Sequence, residues 1–180
     1  MISVNKYINY RLCNYLNQIP KTNIFKVGTG GGKQISGIFN YTSLSANNIL
    51  EYYDFIDYNY YFAKKYNLRV NDNFFLENRE YYQSINDKPF EGKYHMDFIQ
   101  ESQKPCYTFI YYYKLSNSII GGELEFKKDG SIYNPALYDV ICFNGDDKHR
   151  IKKLYGEGVR GTLIMNIEKN LSIKSFNILS

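Results

Sequence analysis

The chain has 180 residues, 44% hydrophobic and 22% charged, with 22 Lys plus Arg against 18 Asp plus Glu for a net charge of +4. That balance is of a globular chain with a sizeable core, and the mild positive charge does not require nucleic acid. No apolar run approaches the roughly 18 residues of a membrane span, and three scattered cysteines without a CxxC (Cys13, Cys106, Cys142) argue against a disulfide framework or a zinc–thiolate cluster.

The expected setting is therefore reducing and cytoplasmic, with no membrane partner. The opening MISVNKYINYRL also lacks the layout of a secretory leader. Twenty Tyr and 12 Phe without a Trp accompany abundant Asn, Ile and Lys. Because this bias runs through the whole chain, it points to an AT-rich genome, such as that of a large DNA virus, rather than to base stacking.

In chain order, Val4, Ile8, Leu12, Leu16 and Ile19 have helical spacing and end before Pro20, predicting a helix over 4–19. NIFKVG and QISGIFNY read as two strands joined by glycines. Ser45 is a candidate cap for a helix running through Ile49, Leu50, Tyr53, Ile56, Tyr60 and Ala63. From about residue 68 the pattern becomes short apolar segments separated by turns: FFLENREYY, KYHMDF, CYTFIYYYKL, GELEFKK, YDVICFNG, HRIKKLY, VRGTLIMNI and SIKSFNI. Many closely spaced strands predict a β-sandwich or barrel. The expectation is a mainly β fold with N-terminal helices on one outer face. It is a single domain over 1–180, with a support region at 1–67 and a strand-rich core at 68–180.

GTGGGKQ, at Gly28–Gln34, imitates a phosphate loop. Only three residues separate Gly28 from the Gly32-Lys33 pair, and Gln34 stands where a magnesium-binding Ser or Thr is needed. A flexible strand connection bordering a site mouth is the better reading.

The two histidines carry more information. In a strand, residues i and i+2 share a face, so His95 and Asp97 of KYHMDF would project together. Roughly one residue in ten is acidic, so this pair alone means little. His149 in FNGDDKHRIKK can complete a set of two His and one carboxylate, which leaves half of an octahedron open on a metal. The nearby Asp146 and Asp147 read equally well as a solvated turn. Eleven residues after His149, Arg160 opens an apolar strand, where burial of a guanidinium requires a planar anionic partner.

Taken in order, His95-Met96-Asp97, CYTFIYYYKL, Gly121-Gly122-Glu123-Leu124-Glu125-Phe126, Phe143-Asn144, His149 and Gly158-Val159-Arg160-Gly161-Thr162 resemble the Fe(II)/2-oxoglutarate-dependent dioxygenases. The likeness is to the prolyl 4-hydroxylase-like branch and covers about residues 75–168. It implies a double-stranded β-helix (a jelly-roll or cupin-like fold), with His95, Asp97 and His149 binding iron. It further implies that Arg160 holds the distal carboxylate of 2-oxoglutarate, assisted by Thr162 and a tyrosine hydroxyl. Tyr112 matches that tyrosine, although a slip of one would select Tyr111 or Tyr113 and reverse the face. Tyr81 or Tyr82 are further pocket candidates.

Fe(II), 2-oxoglutarate, O2 and ascorbate are the implied cofactors, and a protein or peptide such as a prolyl substrate is the implied partner. The chain departs from the pattern in a longer His149–Arg160 interval, a longer NDKPFEG loop, and Asn166 near the position where many relatives carry tryptophan. Two alternatives stay open. One is a nucleic-acid demethylase gripping phosphates with Lys148, Arg150, Lys152 and Lys153. The other is a non-catalytic jelly-roll binding protein.

Overall fold

A computed structural model describes residues 3–18, 24–26, 33–40, 50–86, 88–99 and 103–171, with only the backbone course for 24–26, 33–40, 50 and 51. Helix α1 spans Tyr10–Gln18 and so begins six residues later than the apolar spacing predicts. Asn9 is the reason. Its Oδ1 accepts the Leu12 amide at 2.9 Å and its carbonyl accepts the Cys13 amide at 3.0 Å, which satisfies first-turn donors and fixes the start. Upstream, Ser3–Lys6 form strand β1, and Val4 and Ile8 are exposed rather than part of a helical stripe.

Helix α2, Leu50–Lys65, buries Tyr52, Phe55, Ile56, Asn59, Phe62 and Ala63, a stripe at i, i+3, i+4, i+7 spacing. The predicted stripe through Tyr53 and Tyr60 is displaced: both are only half-buried. Ser45 and the Gly28–Gly32 run lie outside the described residues, as does the SIKSFNI segment.

The remaining strands are β2 (Ile24–Lys26), β3 (Lys33–Asn40), β4 (Val70–Gln83), β5 (Phe98–Ile99), β6 (Lys104–Leu115), β7 (Ile119–Gly121), β8 (Leu124–Phe126), β9 (Ile132–Tyr133), β10 (Asp139–Asn144), β11 (His149–Ile151), β12 (Leu154–Gly156) and β13 (Gly158–Lys169). HRIKKLY is thus two strands, β11 and β12. The major sheet runs β1-β10-β6-β13-β4-β3-β2, with β5 attached to β6. Facing it are the smaller sheets β11-β8-β9 and β12-β7. Every ladder is antiparallel.

The alternation within the central strands separates two cores. On one face of the major sheet, Phe109, Tyr111, Leu163, Met165 and Ile167 meet the helices through Leu12, Leu16, Phe55 and Phe62. On the other, Ile110, Tyr112, Ile141 and Phe143 meet Leu124 and Phe126 of the smaller sheet. Burial of each such Phe or Leu stabilises by about 1.5–3 kcal/mol. The helices therefore cover one outer face, and the space between the sheets is left to a second, more polar cluster.

Two local devices shape that space. Gly121 and Gly122 both have left-handed backbones, with φ of 85° and 77°, which favours glycine. A Cβ on Gly122 would stand 2.9 Å from Leu154 Cδ1 and 3.8 Å from Arg160 Cδ, so the turn passes close over Arg160. The second device is a bulge: Gly161 pairs with Lys114 but Thr162 pairs with Tyr112, leaving Tyr113 as the extra residue.

Candidate metal centre and its pocket

KYHMDF is not a continuous strand. His95 forms an isolated bridge to His149, in which the His95 amide donates to the His149 carbonyl at 3.0 Å and the His149 amide returns to His95 at 2.9 Å. The next rung in the N-terminal direction joins the Gly92 amide to the Ile151 carbonyl at 2.9 Å. Three residues on one side thus oppose two on the other, and this mismatch breaks the ladder. Beyond His95, the Asp97 amide bonds the Gly145 carbonyl at 2.9 Å. The inward direction expected of His95 and Asp97 nevertheless holds. Tyr94 and Met96 are exposed, and Tyr94 lies under the Arg150 guanidinium, 4.7 Å from the ring centroid.

The ligand atoms of His95, Asp97 and His149 all lie within 4.8 Å of one another. His95 Nε2 is 3.7 Å from Asp97 Oδ1, and His149 Nε2 is 3.4 Å from Asp97 Oδ2. Each imidazole donates Nδ1–H to the carbonyl two residues earlier, His95 to Lys93 and His149 to Asp147, both at 2.9 Å. This backbone contact fixes the tautomer and leaves Nε2 as the free lone pair, as a metal-ligating histidine requires. Thr108 Oγ1 donates to Asp97 Oδ2 at 2.8 Å and orients the carboxylate.

Exposure divides the three: His149 is buried, Asp97 is partly covered, and His95 stands at the open side. Burial first, then the nearby His95 and Arg79, depress the His149 pKa below its ordinary 6.5, against the opposing pull of Asp97. His149 therefore stays neutral and available to a metal. Phe143 and Phe126 flank its ring, with centroids at 4.7 and 5.9 Å.

Behind the triad lies a pocket of about 490 Å³, counting its mouth. Its floor is the inner face of β13, where Arg160, Thr162, Ile164 and Asn166 alternate, beside Ile110 of β6. Arg160 is 6% exposed, and among the described residues no carboxylate pairs with it. Its Nη2 donates to the Tyr112 hydroxyl at 3.3 Å, the guanidinium lies 5.0 Å from the Tyr112 ring centroid, and its buried Nε has no partner. A buried cation with an unused donor suits an incoming carboxylate.

Tyr112 shares this face with Thr108 and Ile110. Tyr111 points to the helices, where its ring meets Tyr7 and Phe55. Tyr113 donates to Asn78 at 2.8 Å on that same side. Neither Tyr81 nor Tyr82 lines the pocket. Tyr81 stacks on Phe90, and Tyr82 bonds Glu80 on the opposite face of β4.

The β4 residues that do line the pocket are Glu77 and Arg79, which the sequence reading missed. The signal was present as Glu77-x-Arg79, a same-face pair within FFLENREYY. Asn166 also lines the pocket, and its Oδ1 is buried without a partner. In the basic run after the triad, Arg150 is engaged by Glu91 and Glu125, and Lys153 lies 4.0 Å from Glu91.

No family model matches the chain, and no curated protein matches it. Solved structures do. A viral collagen prolyl hydroxylase from Paramecium bursaria Chlorella virus-1, in its 2OG complex, is 14% identical; the match covers 94% of this chain and 96% of that one at a TM-score of 0.63. A 2OG-Fe(II) oxygenase family oxidoreductase from Burkholderia pseudomallei is 13% identical over 89% of this chain and 78% of the other, with a TM-score of 0.60. The fold is that of the 2OG-Fe(II) oxygenases. A Trichoplax adhaerens prolyl hydroxylase, in complex with a hypoxia inducible factor peptide fragment, shares it at 12% identity and a TM-score of 0.56, covering 93% and 83% of the two chains. Among the described residues, no helix is long and apolar enough to cross a membrane.

Proposed function

We propose that the protein is an Fe(II)- and 2-oxoglutarate-dependent dioxygenase that hydroxylates a C–H bond, with a peptide residue such as proline as substrate. One observation carries the reading. Two Nε2 atoms with their Nδ1 positions tied to backbone converge with Asp97 at the mouth of a pocket whose floor holds a buried, uncompensated arginine. The fold likeness to prolyl hydroxylases, one of them bound to a peptide fragment, supports the substrate class.

His95, Asp97 and His149 would hold the iron, and the donor set fits it: two neutral imidazoles and one carboxylate, with room for further ligands. When bound, the metal and its co-substrate supply the oxidising chemistry: O2 and 2-oxoglutarate are consumed, succinate and CO2 leave, and one oxygen atom enters the substrate as hydroxyl. The protein's own residues do the rest. Arg160 and Tyr112 receive the distal carboxylate, Thr162 lies beside them, and Ile110, Leu124, Ile151 and Ile164 keep the cavity walls apolar. Thr108 holds Asp97 in its ligating orientation. Ascorbate as a reductant and a viral source belong to the same proposal and rest on the family likeness alone.

The test is an anaerobic titration with Fe(II) and 2-oxoglutarate, monitoring the metal-to-ligand charge-transfer band, followed by succinate release when oxygen is admitted. His95→Ala and His149→Ala should abolish the band, whereas Arg160→Ala should shift it to much higher 2-oxoglutarate concentration. A folded wild type with neither band nor succinate refutes the proposal.

A further inference from the structure

Three polar side chains in this pocket lie outside the set proposed above to hold iron and 2-oxoglutarate: Glu77, Arg79 and Asn166. We infer that Arg79, clamped by Glu77, and Asn166 form the substrate-binding face, and that the group they take is an amide of a peptide backbone. The inference rests on the dioxygenase reading and assigns its substrate subsite.

The register brings the three together on the inner face. Arg79 stands opposite Thr162, Glu77 opposite Ile164, and Asn166 opposite Phe75. Arg79 donates from Nε and Nη2 to the two oxygens of Glu77, at 2.6 and 2.7 Å. This fork fixes the guanidinium plane and cancels its charge. Nη1 is left over: among the described residues nothing accepts from it. The Glu77 side chain is only 8% exposed while that of Arg79 is 38% exposed, so the anchor is covered and the donor is open to an incoming group. Asn166, 8% exposed, supplies the reverse polarity, a buried carbonyl oxygen with no donor.

The chemistry of the occupant follows from what these atoms lack. A neutralised arginine offers hydrogen bonds with little net Coulomb attraction, so a carbonyl satisfies it as well as an anion does. An orphaned acceptor such as Asn166 Oδ1 is costly to keep dry and calls for an N–H. A purely apolar substrate leaves both unmet, and sites built to hydrogen-bond reject such ligands strongly. A carboxylate satisfies only Arg79. An amide presents the carbonyl and the N–H together, and Glu77 keeps the site from preferring acids.

The experiment uses the full chain and a pool of end-capped heptapeptides centred on proline, with a 16 Da gain read by mass spectrometry. Each variant is first titrated anaerobically with Fe(II) and 2-oxoglutarate. We expect Asn166→Leu and the paired replacement Glu77→Gln/Arg79→Gln to keep the charge-transfer band. Their kcat/KM for peptide should fall about 10- to 100-fold, mainly through KM. Arg79→Lys should recover part of the loss. Glu77→Gln alone, which frees the positive charge, should move the preference toward acidic peptides.

Wild-type kcat/KM in both Asn166→Leu and the paired variant overturns the inference. So does a wild type that forms the band yet hydroxylates no peptide in the pool; either result leaves the iron and 2-oxoglutarate reading standing. A folded wild type without the band removes that reading and the inference with it.

Discussion

Replacing Arg160 with methionine should make the ligand-free protein more stable while disabling it. Arg160 is 6% exposed, has an unpartnered Nε and keeps one hydrogen bond, to Tyr112. Exchanging a buried, unpaired charge for an apolar side chain of similar length typically gains about 1–4 kcal/mol. Loss of the Tyr112 hydrogen bond and ring contact returns about 1 kcal/mol of that. The net gain of about 0–3 kcal/mol corresponds to a Tm higher by up to about 12 °C in a chain of this size. Removing charge-assisted bonds to a carboxylate costs about 1.5–3 kcal/mol of binding, which is about 10- to 100-fold in 2-oxoglutarate affinity. Thermal melts with and without 2-oxoglutarate, in the presence of divalent metal, read both quantities. The wild type should melt lower alone and rise with co-substrate, and Arg160→Met should melt higher alone and respond little. A variant that melts below the wild type yet keeps the same co-substrate response would refute the view of Arg160 as a cation waiting for its anion.

Three further outcomes follow from the same geometry. Thr108→Val keeps the shape but removes the 2.8 Å bond to Asp97; Fe(II) affinity by anaerobic titration should fall about 10- to 100-fold, and an unchanged value would mean that Asp97 is oriented otherwise. Gly145→Ala places a Cβ 2.7 Å from Cys106 Sγ and 2.9 Å from the Asp97 and Cys106 carbonyls. It should cost about 1–3 kcal/mol in urea unfolding and weaken iron, and an unaltered midpoint would contradict it. Because His149 is held below its ordinary pKa of 6.5 in the fold, the unfolded chain takes up that proton first as pH falls. Stability of the metal-free protein should therefore drop on going from about pH 7 to about pH 5, and this part of the slope should vanish in His149→Gln.

The mainly β fold and the grouping of the candidate site residues were legible in the sequence; the bounds and faces of the helices were not. His95, Asp97 and His149 stand out because two histidines leave few combinations, and Arg160 because a guanidinium in an apolar strand needs a partner; Thr162 came only with the family resemblance. The structure brings all five to one pocket. Glu77 and Arg79 were overlooked because they sit among acids and aromatics in FFLENREYY, where side-chain type alone does not say which face is inward. Tyrosine caused the errors in the helices. In EYYDFIDYNYYF it occupies positions all round α2, so the buried stripe is set by what α2 packs against and not by a clean apolar period. The false start of α1 at Val4 reflects the same weakness, corrected by a polar residue, Asn9, that the apolar count ignores. Tyr112 reaches Arg160 by the plain alternation with Thr108 and Ile110 that the spacing predicts, and the bulge falls only after it, at Tyr113.

The reciprocal rung between the His95 and His149 backbones has a consequence for metal identity. The two imidazoles are carried on residues already bonded to each other, so an arriving ion need not order the loop first, and little of its binding free energy is spent on assembly. A site set in this way offers the same spacing to Mn(II), Co(II), Ni(II) or Zn(II) as to Fe(II). With imidazole and carboxylate donors alone, affinity rises along the Irving–Williams series, which places iron below several competitors. Purified protein should therefore carry whichever divalent ion its surroundings supply, and iron occupancy would reflect cellular availability more than any preference built into the fold.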